Sequence, residues 1–143
     1  MSSSTIGFRK SIDRFGPLVY KIAIRRFDRK GQKAKVAVED FAQLAGLSRD
    51  TKYNYTMEKL VKLIDRFCTF PAVENAKLFK RVIFNFLVGN EDMHLKNYSV
   101  ITRDDIVELS PAYDLLSSSI VLTGDIDEIA LPLKGKKSNL TPA

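Results

Sequence analysis

The stretch NEDMHLKN at residues 90–97, followed by PAYD at residues 111–114, decides how the fold of this chain is interpreted. The first stretch comes after an apolar helical pattern and directly before a strand pattern. A loop that is held at both ends by packed elements is a place where functional side chains are positioned well. Within it, the acid Asp92 stands five residues before the amide Asn97.

A β-hairpin is predicted directly after this loop. Its strands are expected at residues 98–101 and 106–109, and the four polar residues between them suit a turn. Because a hairpin returns the chain to its starting point, we expect Asp114 to face Asn97 across the base of the loop. Carboxylate and amide oxygens are ligands that magnesium accepts, and a nearby acid can take the proton of an attacking hydroxyl. The pattern therefore favours phosphoryl transfer from a metal-bound nucleotide over a merely polar loop.

The chain before the loop contains two predicted helices of substantial length. Thr56 can cap a helix that runs to about residue 69, and Cys68 lies on its apolar face, where a core role is expected. Pro71 suits the first turn of a second helix that ends at Gly89. The side chains predicted to face inward from this second helix are Ala76, Phe79, Val82, Ile83, Phe86 and Leu87.

Shorter elements are predicted towards both ends of the chain. Residues 18–27 alternate as a strand, residues 34–38 suit a short return strand, and residues 39–45 suit a short helix ended by Gly46. Residues 124–143 have the composition of a loop. Together the patterns predict an α+β fold that is mainly α with small β elements, in which residues 1–17 form a polar leader before one domain at 18–143.

Composition excludes several classes of protein. With 143 residues and 45% hydrophobic content, the chain can build a sizeable core, and no apolar run approaches the roughly 20 residues of a membrane span. One cysteine and one histidine make a structural zinc site untenable, and the lone cysteine fits a reducing cytoplasm. The net charge of +6 is scattered along the chain, which favours a solvated basic surface over a nucleic-acid site.

The motifs resemble the HipA-like serine/threonine kinases of bacterial toxin–antitoxin systems. The matching stretches are FLVGNEDMHLKNYS at 86–99 and LSPAYDLL at 109–116, with support from RFDR at 26–29, EDF at 39–41 and LPLKGKK at 131–137. The resemblance covers about residues 18–141. The same loop is also similar to the D-x-H-x-x-N pattern of phosphoinositide-type kinases, which Asp92, His94 and Asn97 match.

This resemblance implies a protein-kinase-like C-lobe, incomplete at both ends, that transfers phosphate from ATP to a protein serine or threonine with Mg²⁺. The implied roles are a catalytic base at Asp92, magnesium ligands at Asn97 and Asp114, accessory catalytic groups at His94 and Lys96, an adenine pocket along Arg25 to Phe27, and a ribose contact at Asp28.

The resemblance also implies partners and a location. Some members of the family act on aminoacyl-tRNA synthetases and are held by a DNA-binding antitoxin, which implies a cytoplasmic protein without a membrane partner. The family's glycine-rich phosphate loop and nucleotide-binding lysine precede the hinge strand, and residues 1–17 contain no such loop. We therefore expect the isolated chain to bind ATP weakly at best, and a separate N-lobe subunit to be a further partner.

Two other interpretations of the sequence are alternatives to a kinase. Residues 41–53 have the spacing of a DNA-binding helix-turn-helix, although Lys52 would occupy a position that such a motif buries. A non-catalytic, kinase-like module that only docks a partner is the other alternative.

Overall fold

A computed structural model describes residues 6–11, 19–24, 26–31, 34–117 and 127–140. The chain divides into two compact units, Met1–Val36 and Ala37–Ala143, and each is described by itself. Strands take up nearly as many of the described residues as helices do. The α+β class, with helices and small antiparallel sheets, is therefore confirmed.

The first unit consists of two antiparallel strand pairs. Strand β1 (Ile6–Ser11) pairs with β2 (Val19–Ile24), and β3 (Arg29–Lys30) pairs with β4 (Ala34–Lys35). Strand β2 confirms the strand that was predicted within residues 18–27. The region interpreted as a polar leader contains β1, which we did not predict because only two of its six residues carry large apolar side chains.

A three-stranded antiparallel sheet organises the second unit. Its order is β5 (Ala37–Asp40), β6 (Ser99–Arg103) and β7 (Ile106–Leu109). The predicted hairpin is confirmed, but its turn is only two residues long. Asp104 and Asp105 adopt positive φ angles of 49° and 62°, the left-handed conformation that tight hairpin turns require.

Two capped helices follow β5. Asp40 caps α1 (Phe41–Leu44) by accepting a hydrogen bond from the Gln43 amide, and Thr56 caps α2 (Met57–Phe67) in the same way through the Lys59 amide. Cys68 is buried at the end of α2, as predicted. Residues 45–56 contain turns but no helix, so the recognition helix of the helix-turn-helix alternative is not formed and that alternative is wrong.

Helix α3 (Pro71–Leu87) begins at Pro71 as predicted and ends two residues before Gly89, but it buries a different face. Its buried side chains are Glu74, Leu78 and Asn85. The prediction of the inward face was wrong because polar groups of α3 bond to the sheet and to the loop that follows. Of the six residues predicted to face inward, Val82 is half-buried and the others are exposed, with Phe79 at 67% and Leu87 at 74%.

The core of the second unit lies between α1, α2, α3 and the sheet, and it includes the fully buried Phe41, Leu60, Ile64 and Tyr98. The part of the C-terminal segment that is described also contributes to it through Leu131. The Met57 amide donates a hydrogen bond to the Pro132 carbonyl. The segment is therefore packed, which the loop-like composition did not indicate. No helix in the described part of the chain has both the length and the apolar character that crossing a membrane requires.

Candidate active site

The loop after α3 is anchored by an asparagine that sequence reasoning missed. Helix α3 ends at Leu87, and the turn after it contains Gly89, which has a φ of +65°, and then the buried Asn90. The Asn90 amide nitrogen Nδ2 donates to Asn85 Oδ1 at 3.0 Å and to the Asp114 carbonyl at 3.1 Å. One side chain therefore joins the end of α3, the loop and the segment after β7.

Asn97 and Asp114 meet as the hairpin predicts. Nδ2 of Asn97 lies 2.5 Å from Oδ2 of Asp114, although 17 residues separate them. Asn97 is buried on a single 3-10 turn, Leu95–Asn97, while Asp114 is exposed and has a φ of 57°. The two oxygen-bearing side chains thus share one edge of the loop.

The residues present fit a magnesium ion. Oδ1 of Asn97 is buried and has no hydrogen-bond partner in the described part of the chain, so its oxygen is available to a ligand. The neighbouring Asp114 carboxylate supplies a charged oxygen. Magnesium commonly takes one or two protein ligands and completes its shell with phosphate oxygens and water, so this pair is sufficient in kind.

Asp92 is exposed on the same loop, at the edge that faces solvent. Its carboxylate oxygen Oδ1 accepts a hydrogen bond of 2.5 Å from the hydroxyl of Tyr53, which lies 39 residues earlier in the chain. The Asp92 carbonyl accepts from the His94 amide at 2.9 Å, which tightens the loop behind the carboxylate. The carboxylate is therefore oriented and also accessible.

His94 is buried beside Asp92, with its ring in edge-to-face contact with Tyr53 at 5.2 Å between centroids. Burial, followed by the positive charge of Lys52, lowers the pKa of His94 below its ordinary value. The imidazole is therefore neutral at physiological pH. Its Nδ1 has no hydrogen-bond partner among the residues that are described.

Lys96 is held from two sides. Its amine donates to Asp40 Oδ2 at 2.9 Å, while the other oxygen of Asp40 caps α1. Its carbonyl accepts from the Tyr113 hydroxyl at 2.7 Å. The same hydroxyl lies 2.5 Å from Ser99 Oγ. In this arrangement the amine of Lys96 joins the loop to α1.

The residues assigned by resemblance to the nucleotide are in the first unit. Arg25 lies outside the described residues. Phe27 is half-buried, and Asp28 accepts hydrogen bonds from the Arg26 guanidinium at 2.8 Å and 2.5 Å. That hydrogen bonding lowers the pKa of Asp28 below its usual range.

Four contributors to the site were missed from sequence: Asp40, Tyr53, Asn90 and Tyr113. Asn90 and Tyr113 stand inside the two quoted motifs, so their position was a usable signal. Asp40 and Tyr53 reach the loop from 56 and 39 residues away, through side-chain contacts alone. No local pattern identifies such contacts.

Comparison with known proteins finds relatives whose names describe kinases. The candidate kinase Y4dM of Sinorhizobium fredii is 42% identical over 105 residues, which are 73% of this chain and 25% of that protein. The serine/threonine-protein kinase toxin HipA of Shewanella oneidensis is 30% identical over 115 residues, 67% of this chain and 27% of that protein. The chain therefore spans about a quarter of the length of these relatives.

The fold also has a solved counterpart. HipA of Shewanella oneidensis, in a complex with HipB and operator DNA, superposes with a TM-score of 0.74 at 23% identity, over 94% of this chain and 35% of that one. The family model described as the HipA-like C-terminal domain matches residues 10–142. Since that match covers most of the chain, the protein belongs to the HipA-like C-terminal domain family.

Proposed function

We propose that this chain carries the catalytic loop and the metal-binding segment of an ATP-dependent serine/threonine protein kinase. The observation that supports this most is the pairing of Asn97 with Asp114, which leaves the buried Asn97 Oδ1 without a partner in the described residues. The exposed Asp92 carboxylate lies on the same loop. A base and two metal ligands in this order are what phosphoryl transfer needs from a protein.

Each residue has a distinct role in the proposal. Asp92 accepts the proton of the protein hydroxyl, whose oxygen forms the new bond to the γ-phosphorus while the bond to ADP breaks. Asn97 and Asp114 would hold Mg²⁺, which neutralises charge on the nucleotide phosphates when it is bound. A protonated serine or threonine is a weak nucleophile, so orienting it and removing its proton are the protein's main contributions.

His94 and Lys96 are accessory groups in this proposal. The neutral, buried imidazole of His94 supports the loop by packing against Tyr53. The amine of Lys96 is paired with Asp40, which suits it to fixing the loop. A direct contact between Lys96 and a phosphoryl group would first require that ion pair to open.

The nucleotide-binding residues and the partners are also proposed by analogy with the relatives. The backbone around Arg25 to Phe27 would line an adenine pocket, with Asp28 near the ribose, and a further N-lobe would hold the phosphates. We propose a DNA-binding antitoxin as a partner because the solved relative is complexed with HipB and operator DNA. A cytoplasmic protein target, such as an aminoacyl-tRNA synthetase, completes the proposal.

Magnesium-dependent nucleotide binding tests the site. Thermal denaturation of the chain would be measured with ATP and Mg²⁺, with ATP and a chelator, and with neither. At a ligand concentration ten times the Kd, binding stabilises a protein by about 1.4 kcal/mol, which is roughly 4 °C for a domain of this size. We expect that shift only when both ATP and Mg²⁺ are present.

Two matched variants identify where the ion acts. Asp114→Asn removes a charge at a residue with a φ of 57°, and Asp105→Asn does the same in the β6–β7 turn at a φ of 62°. The first should abolish the shift and the second should retain it. If wild type fails to respond, even with the upstream segment of a relative added as a separate polypeptide, the phosphotransfer proposal is wrong. The non-catalytic docking module would then be the better reading.

A further inference from the structure

The side chain of Tyr53 contacts the loop that carries Asp92. The proposed roles of Asp92, Asn97 and Asp114 do not by themselves require this contact. Its hydroxyl donates to Asp92 Oδ1 at 2.5 Å. The other oxygen of that carboxylate, Oδ2, makes no hydrogen bond among the residues described here. A carboxylate on an exposed loop rotates easily about its last torsion, since that torsion has a broad energy profile. A single strong donor is therefore enough to select one orientation.

Tyr53 is itself fixed in place by three contacts. The carbonyl of the preceding residue, Lys52, accepts a hydrogen bond from the Leu95 amide at 3.3 Å. The Lys52 amine lies 4.8 Å above the centre of the tyrosine ring. The Tyr53 ring also makes an edge-to-face contact with the ring of the buried His94, at 5.2 Å between centroids. The phenol is therefore presented to Asp92 from a segment that is anchored on the same loop.

We infer that Tyr53 is a positioning residue that holds one oxygen of Asp92 and leaves Oδ2 to accept the proton of the acceptor hydroxyl. This inference rests on the proposed kinase function and adds to it the group that orients the base. Tyr53 does not touch the substrate in this role. It acts only through the carboxylate.

The protonation state of Tyr53 agrees with this role. Partial burial of a ring that is still 41% exposed, followed by the hydrogen bond to Asp92, raises the pKa of Tyr53 to about 12. The phenol is therefore a hydrogen-bond donor throughout the physiological range. Tyr55 provides a nearby comparison, because it is half-buried, its ring lies 5.7 Å from the amine of Lys59, and the hydrogen bond to Asp92 comes from Tyr53 instead.

The contact can be tested without any enzymatic activity. Tetranitromethane nitrates tyrosine through its phenolate, so the rate at one residue follows how readily that phenol ionises. Peptide-resolved mass spectrometry at pH 8 would compare Tyr53 with Tyr55 in wild type, Asp92→Ala and Asp50→Ala. Asp50 is an exposed acid in the same loop as Tyr53 and serves as the matched control. Nitration of Tyr53 should rise about tenfold in Asp92→Ala alone, because the phenol then loses the acceptor and the negative charge that oppose its ionisation.

The role in the reaction is tested by turnover. ADP release from Mg-ATP and labelling of protein by the γ-phosphate would be measured for wild type, Tyr53→Phe and Tyr55→Phe, with the upstream segment of a relative added where needed. Loss of orientation at a reacting group lowers rates by about tenfold to a hundredfold. We expect that loss in kcat for Tyr53→Phe, with KM for Mg-ATP unchanged, and no loss for Tyr55→Phe.

The possible results separate the two claims. Unchanged nitration of Tyr53 in Asp92→Ala would show that the contact is not made in solution, which overturns the inference. Equal or higher kcat in Tyr53→Phe would overturn it as well, because the phenol would then be neutral or obstructive. If wild type turns over no ATP under any condition, the proposed function fails, and the part that Tyr53 plays in turnover fails with it. The nitration result still decides whether Tyr53 holds Asp92.

Discussion

Replacing Glu74 by alanine should loosen the edge of the sheet that leads to Asp114. Glu74 is a buried residue of α3, and its Oε2 accepts a hydrogen bond from the Leu109 amide at 2.8 Å. Leu109 ends β7, an edge strand in the described part of the chain, where its outer amides face no further strand. Glu74 therefore takes the place of a neighbouring strand at Leu109, which stands five residues before the proposed metal ligand Asp114.

The size of the effect follows from two contacts. A buried backbone amide that loses its acceptor costs about 1–3 kcal/mol. The ion pair between Glu74 and Lys77, at 2.8 Å, adds less than about 1 kcal/mol because the lysine side chain is 44% exposed. We therefore expect Glu74→Ala to lower the free energy of unfolding by about 2–3 kcal/mol. That is a large fraction of the stability of a small domain.

Urea denaturation followed by far-UV circular dichroism measures this loss, and hydrogen exchange at the Leu109 amide locates it. Glu74→Gln keeps an acceptor for that amide and should lose about 1 kcal/mol. Lys77→Ala leaves the acceptor intact and should lose less than about 1 kcal/mol. If Glu74→Ala unfolds within about 0.5 kcal/mol of wild type, or if Glu74→Gln loses as much as Glu74→Ala, the edge-strand argument is wrong.

Three further predictions concern other parts of the described chain. Thr56→Ala should lower the free energy of unfolding by about 1 kcal/mol in urea, with Thr56→Ser close to wild type, because the hydroxyl caps α2. Asp105→Gly should raise the Tm in calorimetry and Asp105→Val should lower it, because the φ of 62° strains any residue with a branched Cβ. Burial raises the pKa of Cys68 from 9.0 to about 11, so its stabilising contribution is complete below pH 9 and is lost as the pH rises towards 11. Between pH 8 and pH 10.5 the urea midpoint should therefore fall more for wild type than for Cys68→Ala.

The meeting of Asn97 and Asp114 could be predicted because it depends on local geometry. Two short strands joined by a tight turn must bring their outer ends together, whatever the rest of the chain does. The sequence placed that turn within two residues of its true position. The hydrogen bond between the two side chains is the consequence.

The buried face of α3 could not be predicted in the same way. Hydrophobic periodicity identifies an apolar stripe, but it does not say which side of a helix meets a neighbouring element. Here the inward side carries polar residues beside the buried Leu78. Glu74, Arg81 and Asn85 bond there to backbone or side-chain groups of the residues that follow α3. The carbonyl of Ser110, for example, accepts from the Arg81 guanidinium. A polar residue that will satisfy a buried backbone group looks, in a single sequence, like one that faces solvent.

The loop is held by side chains from several segments of the second unit. Asp40 reaches it from the strand before α1, Tyr53 from the segment before α2, and Tyr113 from the chain after β7. Each makes its contact by a side chain, so none is guaranteed by local backbone geometry. The three contacts act on different atoms of the loop: the Lys96 amine, the Asp92 carboxylate and the Lys96 carbonyl. Losing one contact therefore leaves the other two in place. The loop should therefore be displaced locally by any single change. A cooperative loss of the site would require the core beneath it to unfold.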